Sequence, residues 1–241
     1  MIPKNIFLFF DTGYESLHPK LKENVEFIKN QNPTYTVKLY DNKLFEDYLI
    51  TKGSKYLSYF NSLNKEIGQL LADYFRLVIL YFEGGVYMDI KSRPAKPLDD
   101  FIQQEDKLWL FWGDEKHYIL GSHIETTPIV VEVLNPLIKE HLDNIHYKID
   151  NYDEYSKTLK RISYVRLNLF DFAGPRALAK VLNLNKDIWE NNSSYHLLNH
   201  SYLKDKFIFS IVGGDYRKYR KLYGKPTGKC GFKNKHLVML I

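Results

Sequence analysis

An α/β fold with a mostly parallel central sheet flanked by helices is the fold class this sequence predicts. Three observations carry it. Short apolar runs closed by turn residues alternate along the chain with stretches of helical spacing. A first strand, a helix and a second strand follow one another within about 40 residues, the span of a βαβ unit. The most strongly amphipathic helix runs into Gly84-Gly85 and then into a further strand. A length of 241 residues suits one domain, 1–241, which buries roughly 70–75% of its unfolded surface and needs no staples.

Ile6 to Phe10 is a continuously apolar run ended by Asp11-Thr12-Gly13, a buried parallel strand and its turn. Leu21 to Asn30 has helical spacing in Leu21, Val25 and Ile28, and Asn32-Pro33 closes it. Tyr35 to Tyr40 alternates and stops at Asp41-Asn42, as a second strand does. Over residues 65–82, Ile67, Leu70, Leu71, Tyr74, Phe75, Val78 and Phe82 share one helical face, and Glu66, Gln69, Asp73 and Arg76 share the other. Gly84-Gly85 stops that helix, and Val86 to Lys91 follows as a strand ended by Pro94 and Pro97. Leu108 to Trp112 is a further strand, and Ile129 to Leu142 and Gly174 to Leu182 read as helices, the latter opened by Pro175 at a favourable first-turn position. Phe207 to Val212 is a late strand closed by Gly213-Gly214.

Composition narrows the function classes. The chain is 44% hydrophobic and 15% aromatic, with a net charge of +5, a weak basic excess that fits an anionic small molecule, a polyanion or neither. The run from Tyr216 to Lys229 gathers Arg217, Lys218, Arg220, Lys221, Lys225 and Lys229, as a solvated face or as an anion-binding lid. No recognised nucleic-acid module is visible, and no nucleic-acid partner is expected. The single cysteine, Cys230, forms no internal disulfide. No apolar run reaches the ~18 residues of a membrane span, and the apolar N-terminus meets Asp11 too early for a signal peptide. The expected location is the cytoplasm.

Along Val86 to Lys91, Val86, Met88 and Ile90 form an apolar set, and Tyr87, Asp89 and Lys91 project to the other side. Ligands of open α/β sheets bind beyond the carboxyl ends of strands, where Asp89 and Lys91 fall. The alternative is an edge strand with one solvated face. Asp73 and Arg76 are spaced to touch on the polar side of the preceding helix, as a surface ion pair or, since the Gly-Gly turn returns the strand beside the helix, as part of one ligand site with Asp89.

Four blocks together resemble glycosyltransferase family 32, the sugar-nucleotide transferases with an Asp-x-Asp motif. They are Ile2-Pro3-Lys4-Asn5-Ile6; Asn32-Pro33-Thr34-Tyr35 with Leu39-Tyr40-Asp41; Ala72-Asp73-x-x-Arg76 through Gly84-Gly85-Val86-Tyr87-x-Asp89 to Lys96-Pro97-Leu98-Asp99; and Ala173-Gly174-Pro175. They stand in the family's order and cover most of residues 1–180. The resemblance implies a GT-A (Rossmann-like) fold, with residues 1–115 as the nucleotide-sugar half and 116–241 as the acceptor half. It implies a UDP- or GDP-sugar donor, a glycan or glycoconjugate acceptor and transfer with retention. It places Asp73 and Arg76 on the donor sugar and ribose, Gly84 and Gly85 in the donor-binding signature, Tyr87 along the diphosphate, and Asp89 on a divalent metal, Mn2+ or Mg2+. Phe10 stands where the family has a base-stacking Trp, and core packing is its other reading.

Lys91 departs from the pattern, which has a second Asp there. Two carboxylates and a divalent cation sum to zero, and so do Asp89 and Lys91 alone. An ammonium about 4 Å from a phosphate oxygen gains ~4 kcal/mol at an effective dielectric near 20. Asp89 and Lys91 are therefore the candidate catalytic pair, with the metal expected on Asp89, completed by phosphate oxygens and Asp215, and Lys91 assisting or turned aside. Three functions follow: a glycosyltransferase, a degenerate relative that binds sugar nucleotide or glycan without transfer, and a basic nucleic-acid-interacting protein.

Overall fold

The computed structural model describes residues 1–103, 105–112, 126–159, 165–182, 195–199, 203, 205–208 and 211. Among them the chain runs β1 (Asn5–Phe9), α1 (Pro19–Gln31), β2 (Thr36–Tyr40), α2 (Asn42–Lys52), α3 (Ser54–Ser62) and α4 (Gly68–Glu83). It continues with β3 (Gly85–Tyr87), β4 (Arg93–Pro94), β5 (Leu108–Trp112), β6 (Thr126–Val131), α5 (Pro136–Asp150) and α6 (Tyr152–Thr158). The last elements are α7 (Val165–Phe172), α8 (Pro175–Val181), β7 (His196–Asn199) and β8 (Phe207–Ile208).

Six strands form the main sheet in the order β2-β1-β3-β6-β5-β7. β1 lies parallel to both β2 and β3, and β5 parallel to β7, while β6 runs antiparallel to its two neighbours. The expected α/β fold with a mostly parallel sheet is therefore present, with β6 as the reversed strand.

Alternating side chains of β1 and β3 feed two apolar layers. Phe7, Phe9 and Tyr87 join the layer built on α4, where Phe9 stacks on Phe75 at 4.9 Å. Ile6, Leu8, Val86 and Met88 join the layer built on Leu21, Val25 and Ile28 of α1. α4 buries residues all round, from Leu70 to Leu80, because it is covered by the sheet on one side and by other helices on the other. It ends at Gly84, whose φ of 60° an L side chain rarely adopts, and Gly85 follows at 103°. A Cβ on Gly85 would stand 2.6 Å from Asn5 O, so bare glycine lets β3 approach β1.

Several expectations need correction. Ile129 to Leu142 is not one helix: the β-branched run through Val131 pairs as β6, Leu134 takes φ 55°, and the helix begins at Pro136, where Asn135 Oδ1 accepts from Leu137 N and Ile138 N. The Val86–Lys91 strand stops at Tyr87, and Asp89 to Ser92 closes a turn in which Ser92 N donates to Asp89 O at 2.7 Å. Phe207 begins β8, which pairs with β4 outside the main sheet. Residues 212–241, with Gly213-Gly214, Asp215 and the basic run, lie outside the described residues. No helix among the described residues is long and apolar enough to cross a membrane.

Candidate functional site

The site is built where the carboxyl end of β3 passes the second turn of α4. Asp73 and Arg76 lie one turn apart on that helix, and Arg76 Nη2 stands 3.4 Å from Asp73 Oδ1. Their side chains are only 8% and 12% exposed, which removes the surface-pair reading. The same Nη2 stands 3.6 Å from Asp89 Oδ1, so the guanidinium bridges a buried acid and an accessible one. Beneath it lies the Tyr87 ring, 4.3 Å from the guanidinium carbon, and the Tyr87 hydroxyl donates to Asp89 Oδ1 at 3.3 Å. Lys91 Nζ stands 3.9 Å from Asp89 Oδ2, turned towards the acid and not aside.

Electrostatics separates the two acids. Burial pushes the Asp73 carboxyl up to about 6, with Arg76 pulling it down and Asp89 adding to the rise. Its Oδ2 is buried and has no hydrogen-bond partner among the described residues. Asp89 is 46% exposed at its side chain and presents its carboxylate between Arg76 and Lys91. The arrangement holds fixed cationic and anionic groups at the end of a parallel strand, which suits recognition of a polar, anionic ligand.

Five predicted residues therefore come together: Asp73, Arg76, Tyr87, Asp89 and Lys91. Phe10 follows β1 at the same end of the sheet, but it packs half-buried against the α1 layer, on the opposite face from Tyr87. Gly84 and Gly85 sit at the start of β3 against Pro3 and Asn5, at the other end of the strand from Asp89, and act there by close packing.

Three further residues support the site. Asn24 of α1 donates through Nδ2 to Ile90 O at 3.1 Å and Ser92 O at 2.9 Å, and Ile211 N donates to Lys91 O, so the turn carrying Asp89 and Lys91 is held from outside. Asn24 interrupts the apolar stripe of α1 and is 1% exposed, a polar residue on a buried face that sequence reading had a signal to find. Gly174 leads into α8, and a Cβ there would stand 3.4 Å from Asp73 Oδ2, which gives the Ala173-Gly174-Pro175 block a place beside the site.

A divalent cation does not fit the described donor set. No group of three or more His, Cys, Asp or Glu side chains among the described residues is arranged to hold a metal ion. Asp89 is a single carboxylate with Arg76 and Lys91 against its two oxygens, where a hard cation needs about six oxygens.

Residues 19–108 match the family model described as a glycosyltransferase sugar-binding region containing a DXD motif. That span contains all five assembled residues, and its description is broader than family 32. The solved structure of PaToxG glycosyltransferase is similar to this chain with a TM-score of 0.53 and 21% identity, over 78% of this chain and 70% of that one. The two share a fold. No curated protein matches the sequence.

Proposed function

We propose that the protein is a glycosyltransferase that moves a sugar from a nucleoside-diphosphate sugar, UDP- or GDP-linked, to a glycan or glycoconjugate acceptor. The observation that carries this reading is Arg76 bridging buried Asp73 and accessible Asp89 at the end of β3, inside the segment similar to a glycosyltransferase sugar-binding region.

In this reading Asp73 and Arg76 orient the donor sugar and ribose, while Phe10, on the other face of the sheet, is left to core packing. Tyr87 supports Arg76 from below along the diphosphate, and Asp89 holds Arg76 and Lys91 in place beside it. The bond between the sugar C1 and the phosphate oxygen breaks with its electron pair leaving on the diphosphate. The acceptor hydroxyl oxygen bonds to C1 on the retained face and passes its proton to the departing diphosphate oxygen. The protein's contribution is to fix the donor and stabilise charge that develops on the leaving oxygen. The described donors around Asp89 do not fit the expected Mn2+ or Mg2+.

The test is incubation of the purified protein with a panel of UDP- and GDP-sugars, reading release of nucleoside diphosphate. Wild type releases it from one donor, and Asp89→Asn, which loosens Arg76 and Lys91 from their shared carboxylate, releases it at least about tenfold more slowly. Absence of hydrolysis and transfer from every donor, with and without manganese, overturns the catalytic reading. One observation favours a second reading. Lys91 against Asp89, where the motif has an acid, suits a relative that binds sugar nucleotide without turnover.

A further inference from the structure

We infer that the Lys91 ammonium takes the place of a divalent cation at the donor diphosphate, so that nucleoside diphosphates bind this protein without metal and through Lys91. The inference rests on the nucleotide-sugar reading above and adds the identity of the group that meets the diphosphate charge.

The position of Lys91 is built. Its carbonyl accepts from Ile211 N, and the flanking carbonyls of Ile90 and Ser92 both accept from Asn24 Nδ2. Three hydrogen bonds from two distant segments thus fix the backbone from which Lys91 projects. Its ammonium stands 3.9 Å from Asp89 Oδ2 with the side chain 32% exposed, near enough to the acid to be oriented and open enough to meet a ligand. Arg76 stands 3.6 Å from the other oxygen of the same carboxylate and is balanced from behind by buried Asp73.

The charge count then decides what the site accepts. Asp73 and Arg76 cancel, and Asp89 and Lys91 cancel. An Asp-x-Asp pair loaded with one divalent cation leaves the same zero balance, but it must recruit the ion first. A cation brought to Asp89 here would sit among two fixed positive charges, whereas a diphosphate brought to Lys91 and Arg76 meets two donors already in place.

The purified protein is titrated calorimetrically with UDP and with GDP, in EDTA and in manganese chloride, as wild type, Lys91→Met and Lys91→Asp. The expected result is that one nucleotide binds wild type with affinities within about threefold in the two buffers. Lys91→Met binds it at least about tenfold more weakly in EDTA, the loss of one charge-assisted contact. Lys91→Asp, which restores the second acid, binds it in manganese only. Wild-type binding that requires manganese, or Lys91→Met binding as tightly as wild type in EDTA, overturns the inference and leaves the nucleotide-sugar reading standing. Failure of both nucleotides in both buffers, with a cooperative thermal melt showing folded protein, overturns the two together.

Discussion

Asp73 and Tyr74 are consecutive residues of α4, and their side chains enter two buried polar clusters of opposite character. Tyr74 is fully buried with its hydroxyl 3.0 Å from His146 Nε2. His146 stacks on Tyr59 at 3.9 Å, and Tyr59 donates to Asp150 at 2.8 Å, so that chain of contacts runs from the core to the surface within the protein itself. Asp73 instead keeps Oδ2 without a hydrogen-bond partner among the described residues and hands its charge, through Arg76, to an accessible acid. A buried polar cluster that closes on its own partners serves packing. One that stays incomplete while holding a full charge is costly to the fold, and under the proposed function a ligand completes it.

The sharpest way to break this contrast is Arg76→Ala. It leaves Asp73 buried without its counter-charge and should cost ~3–5 kcal/mol at pH 8, with Asp73→Asn added to it restoring much of the loss. Chemical denaturation of the single and double variants measures it. The Tyr74 cluster tolerates such losses better in kind, since no net charge is stranded there.

The two clusters also carry opposite pH signs. Burial pushes the His146 imidazole down to about 4, with the nearby lysine charge of Lys55 assisting. The unfolded chain therefore takes up a proton near pH 6.5 that the folded one refuses, and stability falls as pH drops from 6.5 towards 4, by ~3 kcal/mol for this group. His146→Phe should flatten that acid limb in urea titrations across pH 4 to 7. Asp73 works the other way. Its raised value means the folded state holds a proton that the unfolded one releases, so its contribution is full below 3.8 and is lost as pH rises through about 6. Asp73→Asn should then raise stability at pH 8 by up to ~3 kcal/mol while donor hydrolysis falls, a trade confined to the ligand-facing cluster.

The smallest expected effect is Tyr74→Phe. Loss of one buried hydrogen bond to His146 should cost ~1 kcal/mol in denaturant midpoint, with nucleotide affinity within about twofold of wild type by calorimetry.

Periodicity made α1 and α4 readable, and the glycines after α4 marked its end, because each signal lies within one turn of the residue it governs. The five assembled site residues span only 73 to 91, so a local sequence pattern was enough to bring them together. What failed was set from farther away. β3 ends at Tyr87 since a side chain of α1 turns the following backbone, and nothing within Val86 to Lys91 encodes that. Ile129-Val130-Val131 reads as helix or strand on apolarity alone, and pairing with Leu108 and Trp109 of β5 chooses strand. Phe10 and Tyr87 both lie at the right end of the sheet, but only the pleat, odd against even, places one on each face. α2 went unread although Asp41 caps it through Leu44 N at 2.8 Å, because that Asp also ends a strand.

Asn24 grips the turn from 66 positions earlier in the chain at Ile90 and 68 at Ser92, so the order of the site is inherited from a helix distant in sequence. When α1 frays or opens, both carbonyls lose their donor at the same moment, and the segment bearing Asp89 and Lys91 is released with it. Helix and turn thereby form one cooperative unit, and their amide protons should exchange with deuterium at matching rates. A cavity made deep in the α1 stripe, as by Ile28→Ala, would then loosen the Asp89–Lys91 end of the sheet as effectively as a change in the turn itself.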